Sequence, residues 1–367
     1  MTDIDKEKEN IVPRLSSIYM YASGACNLNC AHCWINPEFQ TEGTKSSLHL
    51  KLETVKKAVL QGKPLGLASV KLTGGEPLMN PKIKEIIKFI SDEGLGIIIE
   101  TNGTLVNKTM AKFLKDTKNF KFISVSLDGA DAPTHEALRQ VEGSFDKAVQ
   151  GIKNLVEVGI RPQMICTLHK NNIHQIKDTV KLAENLKCNS IKFNFVQQIG
   201  RGGDFATNQA FSVPKIIEID RVIEEEILPI SQINILQDVP IAFQKPTRFL
   251  RSAIGRCSVH NIIGLLSNGD LALCGIGSSV EDLVYGNIDT DNLEDIWTNS
   301  PKLANLRKLV PNMLEGICSK CIHKNFCKGT CVAGNYNRTG KLNAPYHFCD
   351  TAEKLGIFPN SRITIIE

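Results

Sequence analysis

At 367 residues, 42% hydrophobic and 22% charged, the chain has the make-up of an ordinary globular protein and is too long for one average domain. Its net charge is only +4, with basic residues interleaved among acidic ones, which excludes the basic face that a nucleic-acid partner needs. The opening MTDIDKEKEN has no apolar secretory core and no apolar run is long enough to cross a bilayer. A cytoplasmic protein with no membrane partner is expected, and in that reducing setting twelve cysteines point to metal or redox chemistry rather than a disulfide framework.

A tail, 1–15, precedes the first strand pattern at 16–22, which runs directly into SGACNLNCAHCW. Residues 48–61 read as a helix with Leu52, Val55, Val59 and Leu60 on one face. A strand ending in GGEP (68–77) is followed by a helix at 81–94, with Ile83, Ile86, Ile87 and Ile90 at helical spacing and Gly94 as its stop. The alternation continues with a strand at 95–103, a helix at 108–116, a strand at 120–129 and a helix at 144–159, for which Ser144 is the expected N-cap. A strand at 161–171, a helix at 173–186 and a sixth strand at 189–203 complete the series.

Six strand–helix repeats over 16–215 predict an α/β fold with a parallel sheet. Polar or glycine-rich loops follow most of the strands, where parallel folds bind ligands. Contributions from so many successive strands suit a barrel mouth, so a partial (β/α)6 TIM-like barrel is expected rather than a doubly wound sheet. Residues 216–256 read as a helical bridge. From 257 to 367 the character changes, and seven of the twelve cysteines fall there.

Cys26, Cys30 and Cys33 stand in C-x3-C-x2-C spacing with no obvious fourth ligand, since His32 adjoins Cys33 and is poorly placed to bind the same ion. Cysteine-only sites select zinc or iron–sulfur clusters, and a 4Fe–4S cluster on three thiolates leaves one iron open. The spacing resembles that of the radical SAM superfamily, C-x3-C-x-Φ-C, with His32 in the Φ position. The resemblance implies that the open iron chelates S-adenosylmethionine (SAM). The reduced cluster then cleaves SAM to a 5′-deoxyadenosyl radical that abstracts hydrogen from the substrate.

Further segments resemble the family in order. Gly74, Gly75, Glu76 and Pro77 match the motif that receives the SAM amino group. ETNG (100–103) and SLDG (126–129) resemble the segments that hold the ribose and the methionine carboxylate, which marks Asn102, Ser126 and Asp128. Arg139 stands where relatives place an arginine for the same carboxylate. Cys166, inside the fifth strand, is either a buried core thiol or, facing the barrel interior, a hydrogen donor to a product radical; Cys188 reads as inert.

The C-terminal cysteines are Cys257, Cys274, then Cys318, Cys321, Cys327 and Cys331 in C-x2-C-x5-C-x3-C spacing, and Cys349. Four close thiolates could satisfy zinc. The whole set, with Gly269 before Cys274, resembles instead the SPASM extension that carries auxiliary iron–sulfur clusters. That resemblance assigns Cys318, Cys321, Cys327 and Cys349 to an outer cluster and Cys257, Cys274 and Cys331 to an inner one, which is one ligand short. His260 is a weak candidate for the missing place; a substrate thiol or a smaller cluster are alternatives. Gly275 stands where sulfatase-maturing relatives carry an aspartate base, so formylglycine formation is not expected. Lys320, Lys324 and Lys328 read as a solvated face that could also offset cluster charge.

The leading expectation is a radical SAM/SPASM maturase of a ribosomally made precursor peptide, forming a thioether or carbon–carbon crosslink or an epimer. Its reductant would be a flavodoxin or ferredoxin. The short tail leaves leader recognition to a separate protein or to the bridge. The alternatives are cofactor biosynthesis on a tetrapyrrole or quinone precursor, and a non-enzymatic iron–sulfur redox protein.

Overall fold

The computed structural model describes residues 12–40, 48–246, 248 and 257–364. Most of the tail and the last part of the bridge lie outside the described residues. The expected strands form in register with the sequence pattern: β1 (Ser17–Ser23), β2 (Ser69–Gly74), β3 (Gly96–Thr101), β4 (Phe120–Ser126), β5 (Gln163–Leu168) and β6 (Ser190–Phe195). Helices α1 (Leu52–Gly62), α2 (Ile83–Asp92), α3 (Lys108–Asp116), α4 (Ala132–Arg139), α5 (Ser144–Glu157) and α6 (Ile176–Asn185) connect them. Strand period two turns Ile18, Met20, Val70, Leu72, Ile97 and Ile99 to one face, where each is fully buried and packs with the helices' apolar stripes. The opposite face carries Tyr19, Lys71, Thr73, Glu100 and Ser126, a polar lining for a concave interior.

Strand order runs β1 to β6 without reversal, and every neighbouring pair is parallel. A doubly wound sheet reverses at a switch point, so the expected partial barrel is the observed arrangement. Two features depart from the sequence reading. The bridge is not wholly helical: after α7 (Gly202–Gln209) and α8 (Val213–Val222) it supplies β7 (Asn234–Gln237), a seventh parallel strand beside β6. Only four residues long, that strand is masked by the helical pattern before it. The C-terminal region also shares the barrel's sheet. Its strand β8 (Ile262–Leu265) pairs in parallel with β1, and β9 (Asp270–Ala272) and β10 (Val284–Asn287) extend that edge antiparallel.

This junction is held on the outside too. Trp297, 1% exposed, donates from Nε1 to the Pro13 carbonyl at 2.7 Å, and Thr54 of α1 donates to Asp289 at 3.2 Å. Ser144 does not cap α5. Gly143, with φ +74°, takes the cap position and the Ser144 hydroxyl is buried without a partner. No helix among the described residues is long and apolar enough to cross a membrane.

Candidate active site and cluster-binding cysteines

The cysteine loop leaves β1 and is gripped by the carboxyl ends of its neighbours. Gly75 and Glu76 donate backbone N–H groups to the carbonyls of Ser23 and Ala25 at 2.8 and 2.9 Å. A Cβ on Gly75 would lie 2.1 Å from the Ala25 carbonyl oxygen. The double glycine therefore serves close approach of backbone to the cysteine loop, a reason beyond ligand access. Asn102 donates to Asn27 Oδ1 at 2.8 Å and lies 3.9 Å from Cys26 Sγ, while Asn27 donates to Thr104. Asn29 and Ala31 donate backbone N–H groups to the carbonyls of Arg139 and Leu138 at the end of α4. On the far side Arg201 donates to Asn29 Oδ1 at 2.7 Å, and the N–H of Gly202 reaches the Cys33 carbonyl. Asn27, Asn29 and Arg201 were not singled out from sequence, because nothing local marks a residue whose partner is 70 or more positions away.

Glu76 is fully buried and accepts from Thr101 Oγ1 at 2.7 Å, from the Asn102 N–H at 2.8 Å and from the Leu78 N–H at 3.0 Å. Burial pushes its carboxyl up to about 7 even against those three donors. Both its oxygens are occupied, so its first task is to tie the ends of β2 and β3 together. Asp128 has strong partners of its own. It too is fully buried; Oδ2 accepts from Arg139 Nε at 2.5 Å and Oδ1 from the Thr167 N–H at 2.7 Å. Its carboxylate ties Arg139 to β5, so Asp128 positions the Arg139 side chain. Arg139 is 8% exposed and also donates from Nη1 to Cys30 Sγ at 3.5 Å.

Ser126, at the end of β4, is half-buried and makes no hydrogen bond through its hydroxyl among the described residues. His32 keeps Nδ1 buried without a partner, and burial lowers its ring to about 3, which leaves it neutral near pH 7. Cys166 does not face the interior. It alternates with Met164 and Leu168, lies 1% exposed in the apolar core, and Ile165 and Thr167 take the opposite phase. A hydrogen donor to a product radical cannot sit there. Cys188 is a buried thiol after α6.

All twelve cysteines are unpaired, and ten of them gather in three groups. Burial raises the Cys26 and Cys30 thiols, and Cys33 lies near enough to add to both, as Cys30 does to Cys26. Cys349 feels Cys318, Cys327 and Cys321 in the same way, and these four line one small, mainly apolar cavity. Cys274 feels Cys331 and Cys257. The groups form a series: Tyr346 feels both Cys331 and Cys327, while Tyr19 of β1 feels Cys257 and Cys274. His260 is influenced instead by Lys328 and Arg307.

Donor chemistry fits iron–sulfur clusters. Burial pushes Cys26, Cys274 and Cys318 up to about 12, so each becomes a thiolate only when a cation binds. Among the described residues no three His, Cys, Asp or Glu side chains form a group that could hold a single metal ion. A cubane differs in asking each thiolate to meet a different iron, over a wider span.

Gly275 has a structural reason. Its N–H donates to the Tyr21 hydroxyl at 2.6 Å, and a Cβ there would stand 2.4 Å from the tyrosine ring. Tyr21 of β1 fills the place an aspartate would need. Gly275→Asp is therefore expected to destabilise the fold by about 1–3 kcal/mol through overpacking. In the Tyr21→Ala background the same substitution should cost less, which urea unfolding of the single and double variants measures.

Comparison with known proteins agrees with this geometry. The model of the radical SAM superfamily matches residues 20–183, and that of an iron–sulfur cluster-binding domain, SPASM, matches residues 257–322. The chain is 26% identical over 359 residues to the AdoMet-dependent heme synthase of Methanosarcina barkeri, covering 92% of this chain and 96% of that protein. It is 26% identical over 323 residues to the antilisterial bacteriocin subtilosin biosynthesis protein AlbA of Bacillus subtilis, covering 87% of this chain and 68% of that protein. Streptococcus suis SuiB, solved bound to the precursor peptide SuiA, superposes with a TM-score of 0.74 at 18% identity, over 95% of this chain and 78% of that one. The radical SAM domain binds a 4Fe–4S cluster and SAM, the SPASM domain binds auxiliary iron–sulfur clusters, and the chain is a radical SAM superfamily enzyme.

Proposed function

We propose that this enzyme matures a ribosomally made, cysteine-containing precursor peptide, with a thioether crosslink as the foremost product. Carbon–carbon crosslinking and epimerisation are the related outcomes. Cys26, Cys30 and Cys33 hold the SAM-binding cluster, and when bound, the cluster and SAM supply a 5′-deoxyadenosyl radical. Gly74, Gly75, Asn102 and Ser126 line the SAM site beside His32, with Glu76 bracing it from below. Arg139, oriented by Asp128, offers its cation to the methionine carboxylate. Cys318, Cys321, Cys327 and Cys349 hold the outer auxiliary cluster, and Cys257, Cys274 and Cys331 the inner one.

The observation that carries the substrate class is the inner group. It numbers three thiols, it adjoins Tyr19 and Lys71 on the polar interior face, and no fourth cysteine joins it. A substrate cysteine is the ligand of matching chemistry. The interior cation nearest this group, Lys71, is paired with Glu100 at 2.9 Å and lies 4.1 Å over the Tyr19 ring, so the lining is compensated in charge, as suits a peptide. AlbA and SuiB, by their descriptions, serve bacteriocin biosynthesis and bind a precursor peptide.

The second reading, cofactor biosynthesis on a tetrapyrrole or quinone precursor, is favoured by the near-complete coverage of the heme synthase. Anaerobic turnover with a cysteine-containing peptide encoded beside this gene, and separately with an iron porphyrin, decides between them by product mass. Loss of two hydrogens from the peptide, abolished by Cys→Ala in that peptide, is the expected result; oxidation of the porphyrin alone overturns it. Unpaired cysteines throughout support a cytoplasmic setting.

A further inference from the structure

One row of the sheet joins the barrel interior to the inner thiol group. Gly264 of β8, Tyr19 of β1 and Lys71 of β2 are register partners across three neighbouring parallel strands. Register partners in a parallel sheet point to one face, so the Tyr19 ring and the Lys71 side chain share the concave side with the space above Gly264. The backbone of Cys274 occupies that space: a Cβ on Gly264 would stand 2.8 Å from the Cys274 Cα. The glycine thus lets one of the three inner cysteines settle in the same row as Tyr19 and Lys71.

Two contacts fix Lys71 there. Its Nζ donates to Glu100 Oε1 at 2.9 Å and lies 4.1 Å over the Tyr19 ring. Glu100 also accepts from Thr73 Oγ1 at 3.4 Å. The Glu100 side chain is 39% exposed against 20% for Lys71, so water screens the anion more than the cation. Burial raises the Cys257 and Cys274 thiols, and Lys71 works against it at both. Lys328 acts on Cys257 from the C-terminal region, and Asp238, just after β7, acts on Cys331. Lys71 acts from the barrel side.

We propose that the Lys71–Glu100 pair, braced by the Tyr19 ring, sets the reduction potential of the cluster that Cys257, Cys274 and Cys331 hold. The inference rests on the reading of those thiols as cluster ligands. A cluster gains negative charge when it takes up an electron. A cation in the same row favours the reduced state, and its counter-anion, one strand further off, opposes it. Both are positioning residues, since neither ligates iron.

The test is a redox titration followed by electron paramagnetic resonance on the anaerobically reconstituted full chain. It is run in the Cys30→Ala background, where the auxiliary signals stand alone. Lys71→Met is expected to lower the inner midpoint by about tenfold in the reduction equilibrium, about 59 mV for one electron. Glu100→Gln should raise it by a smaller factor, and the double variant should return towards the parent value. The outer cluster is the internal reference and should not move. A merely structural pair would shift both single variants in one direction, and that result overturns the proposal. An unmoved inner midpoint, or equal shifts of both clusters, overturns it too. Cys274→Ala separates the two layers. If it leaves iron content and both signals unchanged, the cluster reading fails; if it removes one signal whose midpoint ignores Lys71 and Glu100, the tuning alone fails.

Discussion

Cys30→Ala is expected to abolish 5′-deoxyadenosine formation, by a factor on the order of 10³ or more, while the auxiliary iron remains. Cys30 is one of only three thiols in its group, is 6% exposed, and is the one that Arg139 touches. Two thiols cannot hold a cluster whose fourth iron is left to SAM. The other two groups lie on loops after β7 and beyond, so their assembly does not depend on this loop. Anaerobic reconstitution with iron and sulfide, followed by iron counting and chromatography after dithionite and SAM, gives both readouts. Iron should fall by roughly a third, as expected for one cluster of three. Wild-type cleavage in the variant, or loss of all iron, would defeat the assignment of three separate groups.

Asp128→Asn is expected to lower the unfolding free energy by about 3–5 kcal/mol, because Arg139 keeps its charge in a buried site with its partner removed. Burial alone would raise the Asp128 carboxyl, but Arg139, with His32, His135 and the Thr167 N–H, overrides it and holds it down at about 2. The sign of the pH dependence follows. A carboxyl depressed in the folded state contributes stability that is present above its ordinary value near 3.8 and is lost as pH falls through about 2. The gap between wild type and variant in urea unfolding should therefore be constant from pH 5 to 8 by this argument and close in acid. A gap independent of acid would show that Asp128 acts through packing alone. SAM affinity, measured separately, should weaken as Arg139 loses its orientation, whereas Ser144→Ala, at a hydroxyl with no partner, should leave it unchanged.

Much of this chain was legible because its signals are local. Three thiols within eight residues, Gly-Gly after a strand and isoleucines at helical spacing each depend on neighbours a few positions away. The division of the C-terminal cysteines into groups was legible only through resemblance, since Cys331 lies four positions from Cys327 in sequence yet joins Cys257 and Cys274 in space.

What was misread has physical causes of one kind. The motif around Asp128, at a strand end, did not mark its partners Arg139, on the following helix, and Thr167, on the next strand. Cys166 looked like an interior thiol, but strand register turns Ile165 and Thr167 inward and Cys166 to the helices. Ser144 looked like a cap, but Gly143 reaches the left-handed conformation that the turn requires.

By itself, then, the sequence determined the strand–helix rhythm, the three-thiol loop and the glycines that let chain approach chain, because period and spacing are properties of consecutive residues. Only the tertiary structure decided which polar groups are spent on each other, that β7 and the C-terminal strands extend one sheet, and that Tyr21 fills the space beside Gly275. Those outcomes depend on contacts between residues tens to hundreds of positions apart, which composition and periodicity do not encode.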